Sequence, residues 1–183
     1  AFVLVFPPEA EEDVYIVLPY VWVPAESRQL RVRRDHVPYD DWVGRGQMFE
    51  TEGNVVDYEA IRQRILMLRG MFDIRQIAYD PWNANMLVQR LEEDGLELVE
   101  FRQGFVSMSP PTKELMRLVL AKKIMHGGHP VLRWCMDNVY VRTDPAGNIK
   151  MDKQKSTERI DAAIAMVMET KAFMPTDRMS ESL

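Results

Sequence analysis

Apolar residues fall in short unbroken runs at the start of the chain and at helical spacing further on. Residues 1–6 and 14–23 are nearly continuous apolar runs, joined by an acidic, proline-containing stretch at 7–13. Such runs predict an antiparallel hairpin whose strands are covered on both faces. Pro19 has no N–H to give a ladder, which predicts a bulge or an unpaired edge there. Residues 38–46 predict a short helix ending in glycines, and Asp57 opens a helix with Ile61, Ile65 and Leu68 on one stripe. Residues 74–80 return to a strand pattern that Pro81 closes. Residues 83–94 then turn Leu87, Val88 and Leu91 inward, Asp94-Gly95 ends that helix, and 96–101 read as another strand. Strand, helix and strand in this order predict a parallel pair with a right-handed crossover, hence an α/β sheet with a helix packed on it.

Residues 104–111 are rich in Ser and Pro and read as a loop, followed by a helix over 112–124 that buries Leu115, Leu118 and Val119. His126-Gly-Gly-His129 reads as a turn and not a metal site, because the glycines favour a turn and no partner ligand is near in sequence. Asp144-Pro-Ala-Gly147 is a turn signal between short strands at 138–142 and 148–151. The last helix is expected to start at a Ser156 or Thr157 cap and to run to about residue 172, with Ile160, Ile164, Val167 and Met168 inward. Residues 174–183 read as a flexible tail after one domain at 1–173.

Composition narrows the class. With 46% apolar and 28% charged residues the chain is of ordinary globular type, which excludes a disordered segment. No apolar run has bilayer length, and the opening strand lacks a basic leader and a cleavage site. There is no initiator Met and the chain begins inside a strand, so it reads as part of something longer. The single cysteine, Cys135, excludes an internal disulfide or a multi-cysteine zinc site and fits a reducing, cytoplasmic setting. A net charge of -5 argues against coating nucleic acid through bulk positive charge, while leaving room for a local grip. Arg28, Arg31, Arg33 and Arg34 form such a local run, although a solvated charged face is the commoner outcome for one.

Two acids stand out. Asp80 ends a strand, and ligands of open α/β sheets bind outside the carboxyl ends of the strands; an aspartate before proline is also an ordinary turn residue. Asp161 falls beside Met168 on the flank of the last helix's apolar stripe, with Glu158 one turn earlier and further out. Acids in a first turn oppose the helix macrodipole, which accounts for Glu158 more readily than for Asp161. Two carboxylates around a cleft suit Mg²⁺ or Mn²⁺, and a pair of such ions roughly 3.5–4 Å apart can hydrolyse a phosphodiester. Lys153, Lys155 and Arg159 lie close in sequence to Asp161 and are the candidate phosphate contacts, against the alternative of a solvated turn.

Five segments carry a resemblance: residues 78–84 (Ala-Tyr-Asp-Pro-Trp-Asn-Ala), 100–104 (Glu-Phe-Arg-Gln-Gly), 108–115 (Met-Ser-Pro-Pro-Thr-Lys-Glu-Leu), 143–149 (Thr-Asp-Pro-Ala-Gly-Asn-Ile) and 155–161 (Lys-Ser-Thr-Glu-Arg-Ile-Asp). Together they resemble the carboxyl-terminal nuclease domain of the large terminase subunit of tailed bacteriophages. The resemblance implies a ribonuclease H-like fold, an α/β domain of three layers with a central mixed β-sheet flanked by helices. It gives Asp80 the fourth-strand role, Asp161 the terminal-helix role and Glu158 that of an auxiliary ligand, around Mg²⁺ or Mn²⁺. The family's first-strand acid is expected upstream of Ala1, so the first strand is expected to be missing from this sequence. The implied activity is metal-dependent endonuclease cleavage of concatemeric double-stranded DNA during genome packaging in the cytoplasm of an infected bacterium. The implied partners are double-stranded DNA, a packaging ATPase domain on the same parent chain, the phage portal and the small terminase subunit, with no membrane. No Gly-x-x-x-x-Gly-Lys-Ser/Thr phosphate loop occurs in these residues. Two other readings stand beside this one: an assembly module that docks on the portal or the ATPase without catalysis, and another ribonuclease H-like enzyme such as a junction resolvase or transposase.

Overall fold

The computed structural model describes residues 1–10, 14–35, 37–82 and 85–174. The chain opens with β1 (Phe2–Phe6), β2 (Tyr15–Tyr20) and β3 (Trp22–Pro24), then helices α1 (Ala25–Asp35) and α2 (Tyr39–Gly44) and the strand β4 (Phe49–Thr51). Helix α3 (Tyr58–Arg69), strand β5 (Ile77–Tyr79), helix α4 (Asn85–Glu93) and strand β6 (Leu98–Glu100) follow. Then come α5 (Phe105–Leu120), β7 (Ile124–Met125), α6 (Pro130–Asp137), β8 (Val141–Thr143), β9 (Ile149–Met151) and α7 (Asp161–Thr170).

β1 and β2 form the expected antiparallel hairpin, Leu4 opposite Leu18, and β7 joins the far edge of β2 in parallel. β5 and β6 pair in parallel around α4, as strand, helix and strand require. Pro19 stays in register opposite Val3 without a bulge. β7 pairs only with Tyr15 and Ile16, so the Pro19 end of β2 is unpaired on that side among the described residues, and the missing N–H costs nothing there.

The pleat of β1 sorts its side chains by face. Phe2 and Leu4 pack with Ile61, Ile65 and Leu68 of α3 and Leu91 of α4. Val3, with Val17 of β2, packs with Leu115 of α5, Leu132 of α6, and Ile164 and Val167 of α7. A strand that is apolar at every position is thus covered on both sides, giving three layers with the mixed sheet in the middle. Asp57 caps α3 as expected, accepting from the Glu59 N–H at 2.8 Å. Arg62 reaches across to Asp94 with two 2.6 Å hydrogen bonds, tying α3 to the turn before β6.

Four sequence readings need correction. The Ser- and Pro-rich stretch is not a loop: α5 begins at Phe105 and runs through Pro110 and Pro111. Each proline removes one helical hydrogen bond and sets its ring against the carbonyl four residues back, at a cost of about 3 kcal/mol. Burial of Met108, Leu115 and Leu118, at about 1.5–3 kcal/mol apiece, offsets a cost of this size. The helix also stops at Leu120, and Ile124 belongs to β7. Residues 130–137, left unassigned by the apolar pattern, form α6, with His129 as its cap and Pro130 in its first turn; Gly127 and Gly128 make the preceding turn at φ +60° and +69°. Finally, α7 starts at Asp161, not at Ser156 or Thr157. Those hydroxyls are engaged elsewhere: Ser156 donates to the Asp152 carbonyl at 2.6 Å and Thr157 to Asn138 Oδ1 at 2.8 Å. The start of the 83–94 helix at Asn83 and Ala84 and the tail at 175–183 lie outside the described residues.

Candidate functional site

Parallel pairing brings the carboxyl ends of β5 and β6 to one side, where two side chains meet. Asp80 directly follows β5, and Gln103 lies between β6 and α5. Gln103 Nε2 donates to Asp80 Oδ2 at 2.6 Å, while Asp80 Oδ1 accepts from the Trp82 N–H at 3.1 Å. The turn aspartate and the strand-end carboxylate are therefore one feature, in which the turn uses one oxygen and fixes the plane of the other. Gln103 is itself held, since its carbonyl accepts from Lys150 Nζ at 3.5 Å and its amide nitrogen lies 4.0 Å from Met168 Sδ.

Asp161 is the first residue of α7, so it does sit where the helix macrodipole favours an anion. Lys153 Nζ lies 3.1 Å from its Oδ1. Burial pushes the Asp161 carboxyl up, but the charges of Lys153, the Ala1 ammonium and Arg159 together outweigh burial and hold it below the usual carboxylate value. With α7 beginning at Asp161, Glu158 belongs to the preceding segment and not to the helix, which removes the expectation that the two share a helical face.

Asp80, Gln103, Lys153 and Asp161 line one cavity of about 350 Å³, whose apolar wall includes Ile77, Ile164 and Met168. Glu158 lines a second cavity of about 310 Å³ together with Lys153, Arg159 and Asp161. A third, of about 820 Å³, also reaches Asp161 and is bordered by Arg31, Tyr39 and Cys135. The fold thus brings Asp80 and Asp161 to one cavity and puts Glu158 in the next. Lys155 turns to Tyr140, its ammonium 5.5 Å from the ring centre. Among the described residues no three His, Cys, Asp or Glu side chains form a cluster able to hold a metal ion.

Two polar groups of the first cavity escaped the sequence reading. Gln103 lies in the 100–104 segment, whose pattern marks it no more than its neighbours. Glu169 follows Asp161 by eight residues, two helical steps of four, so it shares Asp161's face. It accepts from the Ala78 N–H of β5 at 3.4 Å, and burial pushes its carboxyl up to about 7.

The family described as terminase large subunit, endonuclease domain, matches residues 1–177 of the chain. The chain belongs to this family. Its relatives include the terminase large subunit of Enterobacteria phage HK97, 40% identical over 171 residues, which cover 92% of this chain and 34% of that protein. Protein YmfN of Escherichia coli is 29% identical over 166 residues, covering 87% of this chain and 36% of that one. The chain therefore spans about a third of the length of these two relatives. The crystal structure of the HK97 large terminase superposes with a TM-score of 0.84 over 93% of this chain and 36% of that one, at 40% identity. The large terminase nuclease of the thermophilic phage G20c shares the fold, with a TM-score of 0.54 at 11% identity over 67% of this chain and 66% of that one. The ribonuclease H-like architecture is thereby established, and the terminase family stands over a resolvase or transposase. Within that family frame, the donor set of the first cavity fits a hard divalent cation. It offers carboxylate oxygens from two separate elements, and Mg²⁺ or Mn²⁺ takes one or two carboxylates and completes its shell with water.

Proposed function

We propose that this chain is the nuclease part of a phage DNA-packaging terminase, a metal-dependent endonuclease that cuts concatemeric double-stranded DNA. The observation that carries this reading is the meeting of Asp80, at the end of β5, and Asp161, at the start of α7, in one cavity of a terminase-family chain. Asp80 and Asp161 would hold Mg²⁺ or Mn²⁺, with Glu158, which lines the neighbouring cavity, as the auxiliary ligand. When bound, the cation supplies the positive charge that makes a water nucleophilic and stabilises a leaving oxygen. Gln103 orients Asp80; Lys153 keeps Asp161 ionised; Arg159 faces the phosphates, while Lys155, turned to Tyr140, lines neither cavity. Ala1 also lines this cavity. The partners follow the same reading: double-stranded DNA, an ATPase domain on the parent chain, the portal and the small terminase subunit, in the cytoplasm of the infected host. The test is plasmid nicking in Mn²⁺ by the full-length chain. Asp80→Asn and Asp161→Asn should each abolish it, and nicking at the unaltered rate in either variant rejects the assignment.

One observation favours the docking reading, in which the domain serves assembly without catalysis. Asp161 already has an internal cation, Lys153, at 3.1 Å. If that pair is permanent, Mn²⁺ will give no rise in melting temperature that depends on Asp80 or Asp161. A rise that disappears in Asp161→Asn decides for the metal.

A further inference from the structure

The arginines of α1 divide by function. Arg28, Arg31 and Arg34 recur every three residues, so each is the neighbour of the next on the helix surface. Arg28 is spent within the fold, paired with Asp40 and Glu50. Arg31 and Arg34, further along the helix, line the second cavity together with Lys153 and Arg159. Arg31 is half-buried and donates to Tyr39 Oη at 3.5 Å, so its guanidinium is held in place and does not sweep the solvent.

The far wall is equally built. Asp152, only 8% exposed, accepts from the N–H groups of Gln154 and Lys155 at 2.9 and 3.2 Å, and Ser156 donates back to its carbonyl. This knot fixes the segment that presents Lys153 and Arg159. Four cations therefore surround the cavity against two acids, Glu158 and Asp161. Lys153 and Asp161 belong to both this cavity and the one holding Asp80, so an anion seated here is contiguous with whatever occupies the carboxylate site. Guanidinium forks match phosphate oxygens two at a time. A strand of DNA places its next phosphate beside the reacting one at every step, which a free anion or an acidic peptide does not.

We propose that this groove between α1 and the 152–160 segment holds the backbone phosphate next to the scissile one, with Arg31 and Arg34 as positioning residues. The assignment rests on the nuclease reading for the identity of the strand, and the groove is tested separately from cleavage.

Duplex binding by the full-length chain carrying Asp80→Asn is measured against salt, so that no turnover intervenes. Arg34→Gln should lower the slope of log K against log salt by about 1, and Arg31→Gln with Arg34→Gln by about 2. In Mn²⁺ nicking on the Asp80 background, Arg34→Gln should raise KM about fivefold with kcat little changed, the signature of lost uniform binding. Arg75→Gln, removing an equal charge that is 84% exposed and paired with Asp73, is the control and should change neither. Arg34 is exposed and its substitution leaves the core intact, so the result does not depend on how Arg31 variants fold. An unchanged slope and KM in Arg34→Gln overturns the proposal, as does an equal effect of Arg75→Gln. If the groove variants behave as expected while Asp80→Asn still nicks, the nuclease assignment falls and the phosphate groove stands.

Discussion

Gln103 holds Asp80 by the oxygen that the Trp82 turn leaves open, at 2.6 Å. A hydrogen bond to an ionised carboxylate is worth about 1.5–3 kcal/mol, and each 1.4 kcal/mol of lost positioning slows a reaction about tenfold. Gln103→Leu should therefore reduce Mn²⁺-dependent nicking roughly ten- to a hundredfold, by more than its shift in melting temperature accounts for. Measuring both on one preparation separates orientation of the carboxylate from general damage, and an unaltered rate means the turn alone suffices.

Lys153 bears on Asp161 through charge. Burial pushes the Asp161 carboxyl up, and the charges of Lys153, the Ala1 ammonium and Arg159 together more than reverse it, with Lys153 the largest of the three. The folded value lies below the ordinary 3.8, so the stabilisation from this group is present above that value and is lost as pH falls through the folded one. Lys153→Gln should raise the Asp161 pKa and move the acid limb of nicking to higher pH. A pH–rate profile that is superimposable on the parent's would place the neutralising charge elsewhere.

Glu169 has the opposite sign. Its ordinary value is 4.5 and burial pushes it up to about 7. Between these values the folded chain keeps a proton that the unfolded chain releases. The stabilisation is complete below about pH 4.5 and is lost as pH rises through about 7, a difference of about 3 kcal/mol. Glu169→Gln, which preserves an acceptor for Ala78, should leave the urea midpoint unchanged near pH 4.5 and raise it over the parent's near pH 8.

Cys135 is 2% exposed, and burial pushes its thiol up to about 11. The thiolate is the nucleophile in alkylation. Iodoacetamide at about pH 8 should modify Cys135 only at the rate of unfolding, so labelling should accelerate with urea as tertiary fluorescence is lost. Rapid labelling of the folded chain would indicate an opening of the layer formed by α6 and α7.

The parts of the fold that were legible in sequence are those governed by short-range pattern. The β1 and β2 runs, the Asp57 cap with its Ile61, Ile65 and Leu68 stripe, and the β5, α4 and β6 unit follow directly from apolar period and punctuation. The misreadings arise where tertiary contacts override local preference. Pro110 and Pro111 lie inside α5 because the buried face offsets their cost, and Ser109 further accepts from the Ile149 N–H at 3.1 Å. Ser156 and Thr157 fail to cap α7 because Asp152 and Asn138 take their hydroxyls first, a competition between segments that local reading does not register. At the site, Asp80 and Asp161 were legible as acids at element ends. Gln103 and Glu169 were not, because their roles are set by what lies across the cavity and not by their neighbours in sequence.

α7 packs on β1, on β5, and on α5 and α6, while β1 and β5 belong to separate ladders among the described residues. The helix that presents Asp161 is thus also the joint between the two halves of the sheet. Asp80 rides on one half and Asp161 on the joint, so the spacing of the two acids reports how the halves are seated.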